Sequence, residues 1–212
     1  MGGIREDFLA AARVSAGLLR EPAVVSAWDE PSALPRFTVG GLAGHLAYQV
    51  LVVPEAMAGP APVHETVPVM GHYARVRWIE ADIDDEINLR IRGGGDRLAA
   101  DGPGALSARV EAALEELGEV LPGAENRAVH IPLWDSWSLR LDDLLLTRTL
   151  EMAVHCDDLA VSVDLPTPPL PAAATERVVD LLARLAVRRH GPVAVLRALS
   201  RAERAPATVA AF

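Results

Sequence analysis

The chain has 212 residues, of which half are hydrophobic and 4 % aromatic, with 20 basic against 29 acidic side chains and a formal net charge of -9. That length suits one packed domain, or one domain with a small appendage, and the Ala/Leu/Val-rich composition describes a helical protein rather than a β-sandwich. The acidic balance argues against a nucleic-acid partner, the single cysteine, Cys156, excludes an intrachain disulfide and a cysteine-built zinc ribbon, and the absence of lysine excludes a Schiff-base lysine and a P-loop lysine.

No apolar run reaches the ~18 residues that a membrane span needs, and the opening MGGIREDFLAAARV has no apolar signal core. The expectation is a cytoplasmic protein, monomer or homodimer, that meets a small molecule and neither nucleic acid nor membrane. The charge is uneven: seven arginines follow Ala172, against Glu176, Asp180 and Glu203. These are read as solvated or paired with the acidic body.

Apolar residues at helical spacing (Phe8, Leu9, Ala12, Leu18, Leu19) predict a first helix over Ile4 to Leu19, ending near Glu21 and Pro22. Residues 24–37 contain two prolines and read as a loop pinned by Trp28. Thr38 then caps a second helix whose core face carries Leu42, His45, Leu46, Gln49, Val50 and Val53. Gly40, Gly41 and Gly44 cost that helix roughly 1 kcal/mol each relative to Ala, so another helix is expected to approach them closely. Pro54 should kink or end it.

Residues 59–70 read as a Pro-rich loop, with His64 and the following His72 taken as exposed or incidental. A third helix is expected over Ala74 to Ile91. Its acidic group, Glu80, Asp82, Asp84, Asp85 and Glu86, forms either a solvated face or a carboxylate near the core. Gly93 to Gly95 should interrupt it, DGPG at 101–104 should turn, and Ala105 to Leu121 should form another amphipathic helix. Between 122 and 139 the alternation Val129, Ile131, Leu133 fits one short strand or an extended arm, and Trp134 and Trp137 either pack or wall a pocket.

Leu141 to Val163 is the stretch that calls for chemistry. At ~100° per residue, Arg148, Glu151, His155, Asp158 and Ser162 fall in one stripe flanked by apolar residues, Leu141, Leu145, Met152 and Leu159 on one side and Leu150, Val154 and Val161 on the other. Burying an ionised carboxylate costs several kcal/mol unless it is paired or bound to a metal. LPTPPLP at 165–171 is then a stiff linker, followed by helices over Thr175 to Arg189 and Val193 to Arg201.

His45, Glu151 and His155 thus stand on apolar helix faces. Two neutral imidazoles and a carboxylate suit Zn²⁺, Ni²⁺ or Fe²⁺ and leave a coordination position open. Asp158 would accept an imidazole N–H or serve as a fourth ligand. Arg148 would pair with Glu151 or receive an anionic substrate. The alternative is a hydrogen-bonded core histidine at 45 and a Glu151–Arg148 pair.

Two segments, FTVGGLAGHLA at 37–47 and RTLEMAVHCDDLAVSV at 148–163, resemble the motifs W/F-T-v-x-x-L-x-x-H-L and R-x-x-E-x-x-x-H-x-x-D-L of the mycothiol-dependent maleylpyruvate isomerase N-terminal family, within the DinB/YfiT-like superfamily. The resemblance implies an all-α fold, a DinB-like four-helix bundle over 1–164 with additional C-terminal helices over 165–212 packed on the same domain. It implies His45, Glu151 and His155 as ligands of a divalent metal, usually zinc. The segment after Leu170 is expected to be too short for the thiol-binding C-terminal domain of the isomerase.

The function expected is a metal-dependent transferase or isomerase that uses a low-molecular-weight thiol such as mycothiol as cosubstrate, the ion making the thiolate available. Cys156 is not that nucleophile, because it lies ~100° round the helix from His155. The alternatives are a metal-dependent hydrolase at the same site, and a non-catalytic metal-binding protein in which Asp158 closes the coordination sphere.

Overall fold

The computed structural model describes residues 3–79 and 81–212. In chain order these form α1 (Ile4–Leu19), α2 (Pro22–Ser26), α3 (Val39–Ala58), β1 (Glu65–Thr66), α4 (Val69–Tyr73), α5 (Glu86–Ala99), α6 (Gly102–Val120), β2 (Ala128–Val129), β3 (Trp137–Arg140), α7 (Leu141–Ser162), α8 (Ala172–His190) and α9 (Pro192–Ser200). The fold is all-α around a small three-stranded sheet of order β1-β3-β2.

Four long helices enclose the core in a closed ring: α1 packs on α6 and α7, and α3 packs on the same two from the opposite side. Their inward faces supply Phe8, Leu19, Leu42, Leu46, Leu106, Leu117, Leu144 and Leu145, all essentially inaccessible to solvent. Burying each such side chain stabilises the fold by roughly 1.5–3 kcal/mol. Helix α8 lies outside the ring against α7 and α1, and α9 packs on α8. Asp7, buried on α1, accepts from Arg177 Nε of α8 at 2.6 Å. A smaller cluster of Val69, Tyr73, Leu150, Val178, Leu181 and Leu185 fills the seam between α4, α7 and α8.

The start of α3 follows the sequence closely. The Thr38 hydroxyl accepts the Gly41 N–H at 2.9 Å, capping the helix. Pro54 does not end it, and α3 continues to Ala58. The Arg127 guanidinium donates to the carbonyls of Met57 and Gly59 at 2.5 and 2.9 Å, which satisfies the carbonyls of the last turn.

The middle of the chain departs from expectation. Residues 22–26, of which 24–26 fall in the expected loop, form α2 with Pro22 at its first position. The third long helix is not 74–91 but α5, and it runs through Gly93, Gly94 and Gly95 instead of breaking there. Its start is set by Asp85, whose carboxylate accepts the Ile87 N–H at 3.0 Å. Of the acidic group, Glu80 lies outside the described residues, Asp82, Asp84 and Asp85 are exposed ahead of the helix, and Glu86 is in its first turn. Gly95 is there for contact: a Cβ on Gly44 would lie 2.1 Å from the Gly95 carbonyl oxygen, and one on Gly95 would lie 2.4 Å from the Gly41 oxygen. Helix α5 is therefore the close neighbour expected at Gly41 and Gly44, whereas Gly40 is approached by the Trp28 indole rather than by a helix.

DGPG at 101–104 opens α6 instead of forming a separate turn, with Pro103 near its N-terminus. Of 129–133, expected as one short strand or an extended arm, only Val129 is in a strand, and among the described residues three short strands form the sheet. Val129 pairs with Leu139 antiparallel, and Glu65 pairs with Trp137 in parallel. Strand β3 runs directly into α7, which fixes Trp137 at the head of the helix bearing Glu151 and His155. Val161, expected on an apolar flank of α7, is exposed past the end of the packed face.

Candidate metal centre

Helices α3 and α7 are neighbours in the ring, and each turns its polar stripe toward the other. His45 comes from α3, just after the glycines that admit α5. Glu151 and His155 come from α7, four residues apart and so one above the other. One ligand atom from each of the three lies within 4.8 Å of the other two. His45 Nε2 is 3.1 Å from His155 Nε2, and His155 Nε2 is 3.3 Å from Glu151 Oε2. The two rings meet edge to face with centroids 4.6 Å apart.

Asp158, the next turn of α7, does not join this group. Its Oδ2 lies 2.9 Å from His155 Nδ1, on the other side of the ring from Nε2. A carboxylate there holds the Nδ1 proton and leaves Nε2 to point at His45 and Glu151. Arg148 is buried and donates to Gln49 Oε1 at 2.6 Å and to Thr147 Oγ1 at 3.2 Å. Among the described residues it forms no ion pair with Glu151, but its charge reaches that carboxylate. Ser162 Oγ, at the end of the stripe, instead donates to the Asp158 carbonyl at 2.6 Å and accepts the Ala33 N–H at 2.9 Å.

The electrostatics follow from this crowding. Burial, aided by the charge of His155, pushes the His45 ring down to about 3, so it is neutral with a free lone pair. Burial pulls His155 down as well, but its hydrogen bonds to Asp158 and Glu151 and the charges of both carboxylates outweigh that and lift it to about 9. Burial pushes Glu151 up, yet its hydrogen bond to His155 and the charges of His155, Arg148 and His45 bring it down to about 2. The result is an ionised carboxylate beside two imidazoles, a donor set that fits a divalent ion, and metal binding to such a set releases protons.

The cluster lines a cavity of about 300 Å³, together with Tyr48, Gln49, Arg148, Ile131, Trp134 and Trp137. The two tryptophans stack with centroids 6.3 Å apart and an interplanar angle of 15°; they pack and wall the pocket at once. Cys156 is away from it, buried on the α1 side within 3.3 Å of Ser15 Oγ, and burial lifts its thiol to about 11.

One cavity residue was misjudged. His72, expected to be exposed or incidental, is 2 % exposed, lines the cavity and accepts the Trp137 indole N–H on Nδ1 at 3.0 Å. It sits in a five-residue helix, too short for periodicity to read. His64 is half-buried and lies against His130, with ring centroids 4.8 Å apart, outside the cavity.

An all-α bundle that gathers two histidines and a carboxylate from facing helices on the wall of a cavity is the class of protein these features define. The family model described as the mycothiol maleylpyruvate isomerase N-terminal domain matches residues 8–160, and the chain belongs to that family. Among solved structures, the crystal structure of the mycothiol-dependent maleylpyruvate isomerase aligns with a TM-score of 0.52 and 17 % identity, over 88 % of this chain and 72 % of that one. That likeness is one of fold. A search of curated proteins found no match. No helix among the described residues is long and apolar enough to cross a membrane.

Proposed function

We propose that this protein is a divalent-metal-dependent isomerase or transferase that uses a low-molecular-weight thiol, mycothiol in the first instance, on a small unsaturated acid of the maleylpyruvate type. The observation that carries the reading is the convergence of His45, Glu151 and His155 within 4.8 Å on the wall of a cavity. His45 Nε2, a Glu151 carboxylate oxygen and His155 Nε2 would hold the ion, for which a two-histidine, one-carboxylate set suits zinc. When bound, a divalent ion supplies Lewis acidity that lowers a thiol's pKa toward neutrality.

The chain's own residues do the rest. Asp158 orients His155 through Nδ1. Trp134, Trp137 and Ile131 exclude water from the substrate's carbon skeleton. Arg148, already anchored by Gln49 and Thr147, presents a buried positive charge to an acid group. Cis–trans isomerisation then requires only reversible addition: a sulfur–carbon bond forms as the alkene π bond breaks, the electron pair moves onto the conjugated carbonyl oxygen, the new single bond rotates, and the same thiolate leaves.

A closed, purely structural metal site is the competing reading, and it needs a fourth protein ligand. The placement of Asp158 on Nδ1 rather than beside Nε2 favours an open position. Metal analysis of the purified protein and of its His45→Ala variant is the first test. Near-stoichiometric zinc in the wild type and little in the variant are expected, whereas equal metal-free content in both would end the metal reading. Incubation with mycothiol and maleylpyruvate, following thiol-dependent conversion, tests the reaction, and a rate no greater than buffer would favour a binder.

A further inference from the structure

We propose that His72 binds the ligand directly: its imidazole is a neutral donor that presents Nε2–H to an anionic oxygen, a carboxylate or 2-oxo-acid carbonyl, held in the cavity of the metal centre. The inference rests on that cavity being the substrate site, and on nothing in the thiol chemistry.

The argument is one of proton bookkeeping on a single ring. An indole N–H can only donate, so the 3.0 Å contact from Trp137 Nε1 requires a lone pair on His72 Nδ1. Burial, reinforced by the charge of Arg148 and opposed by Glu151, holds the ring down to about 3, so at neutral pH it carries one proton. With Nδ1 unprotonated, that proton is on Nε2. Among the described residues nothing accepts it, although His72 is 98 % buried and lines the cavity.

This N–H is not sealed off as the unpartnered Tyr73 hydroxyl is, so with no protein acceptor it is open to one arriving from the cavity. The ring cannot swing away to find another. Trp134 and Tyr73 meet it edge to face at 5.1 and 5.0 Å, and Trp137 lies 6.0 Å off and tilted. The donor is thus fixed in tautomer and in direction, which is how a neutral imidazole stabilises developing charge on a carbonyl oxygen. Arg148, on the same cavity, supplies the positive charge that makes the preferred oxygen anionic rather than merely polar.

The test is binding of maleate, a cis-dicarboxylate probe, to the full chain as purified, without thiol, followed by calorimetry and by ¹⁵N-histidine NMR. The wild type is expected to show His72 as the Nε2–H tautomer and to shift that nitrogen on adding maleate. His72→Phe, which fills the space without a donor, should weaken maleate at least tenfold, while His72→Gln, whose amide reaches the same position, should recover most of the affinity. Trp137→Phe, which removes the tautomer lock, should weaken it severalfold and mix the tautomers.

An Nδ1–H tautomer in the wild type, no maleate binding by the wild type, or equal affinity in His72→Phe would each overturn the proposal. If His72→Phe fails to fold, the tautomer and the Trp137→Phe result still decide. Loss of thiol-dependent activity with maleate binding intact would count against the proposed reaction and leave His72 in place.

Discussion

At the scale of single residues, Asp158 shows how little has to be added to a two-histidine, one-carboxylate set to orient it. Its carboxylate touches no ligand atom that faces the cluster, yet it decides which His155 nitrogen would keep its proton once the ring gives one up to bind an ion. Removing such a partner typically costs 10- to 100-fold in metal affinity. Asp158→Ala is therefore expected to weaken zinc by about that factor in a chelator competition, with the helix and the cavity intact. An unchanged affinity would mean that Asp158 serves α7 rather than the centre. His45, Glu151 and His155 were legible in the sequence because i, i+4 spacing and an apolar surround are properties of a helix face. Asp158 was legible as a neighbour, with its role open, because spacing places a side chain on a turn but does not say which ring nitrogen it meets. His72 was not legible, since its meaning lies in an indole 65 residues away.

At the scale of elements, the glycines of α3 and α5 decide where His45 stands. The Cβ positions of Gly44 and Gly95 are blocked by backbone, and a Cβ on Gly95 would also come within 3.2 Å of the His45 backbone nitrogen. Backbone cannot move aside as a flexible side chain can. In an isolated helix Gly→Ala gains about 1 kcal/mol; Gly44→Ala should instead destabilise the protein by about 2 kcal/mol or more as α5 is forced off, and weaken metal binding with it. Gly118→Ala on α6, where a Cβ meets nothing within 4 Å, is the control and should be neutral or stabilising. Urea unfolding of the two variants reads the difference. The same contact explains the misplaced third helix. Read along the chain, Gly93 to Gly95 look like a break, and only the opposing Gly41 and Gly44 of α3 reveal Gly95 as the point at which two helices touch.

At the scale of the molecule, the cluster joins segments 110 residues apart in the chain, so an ion held there ties α3 to α7 across the bundle. The unfolded chain has no such preformed site, and whatever binds only the folded state stabilises it by mass action. At a free zinc concentration 100 times the dissociation constant the gain is about 2.7 kcal/mol, and for a domain of this length each kcal/mol moves the melting temperature by about 2–4 °C. Zinc added to the chelated protein should therefore raise its Tm by roughly 5–10 °C, and chelation should reverse the rise. His45→Ala removes the α3 end of the link, so its Tm should hardly respond to zinc even though Glu151 and His155 remain. Asp158→Ala should respond with a shift displaced to higher zinc. A scan in which zinc moves wild type and His45→Ala alike would place the ion elsewhere on this acidic chain, and the bundle would then owe its stability to apolar packing without any metal cross-link.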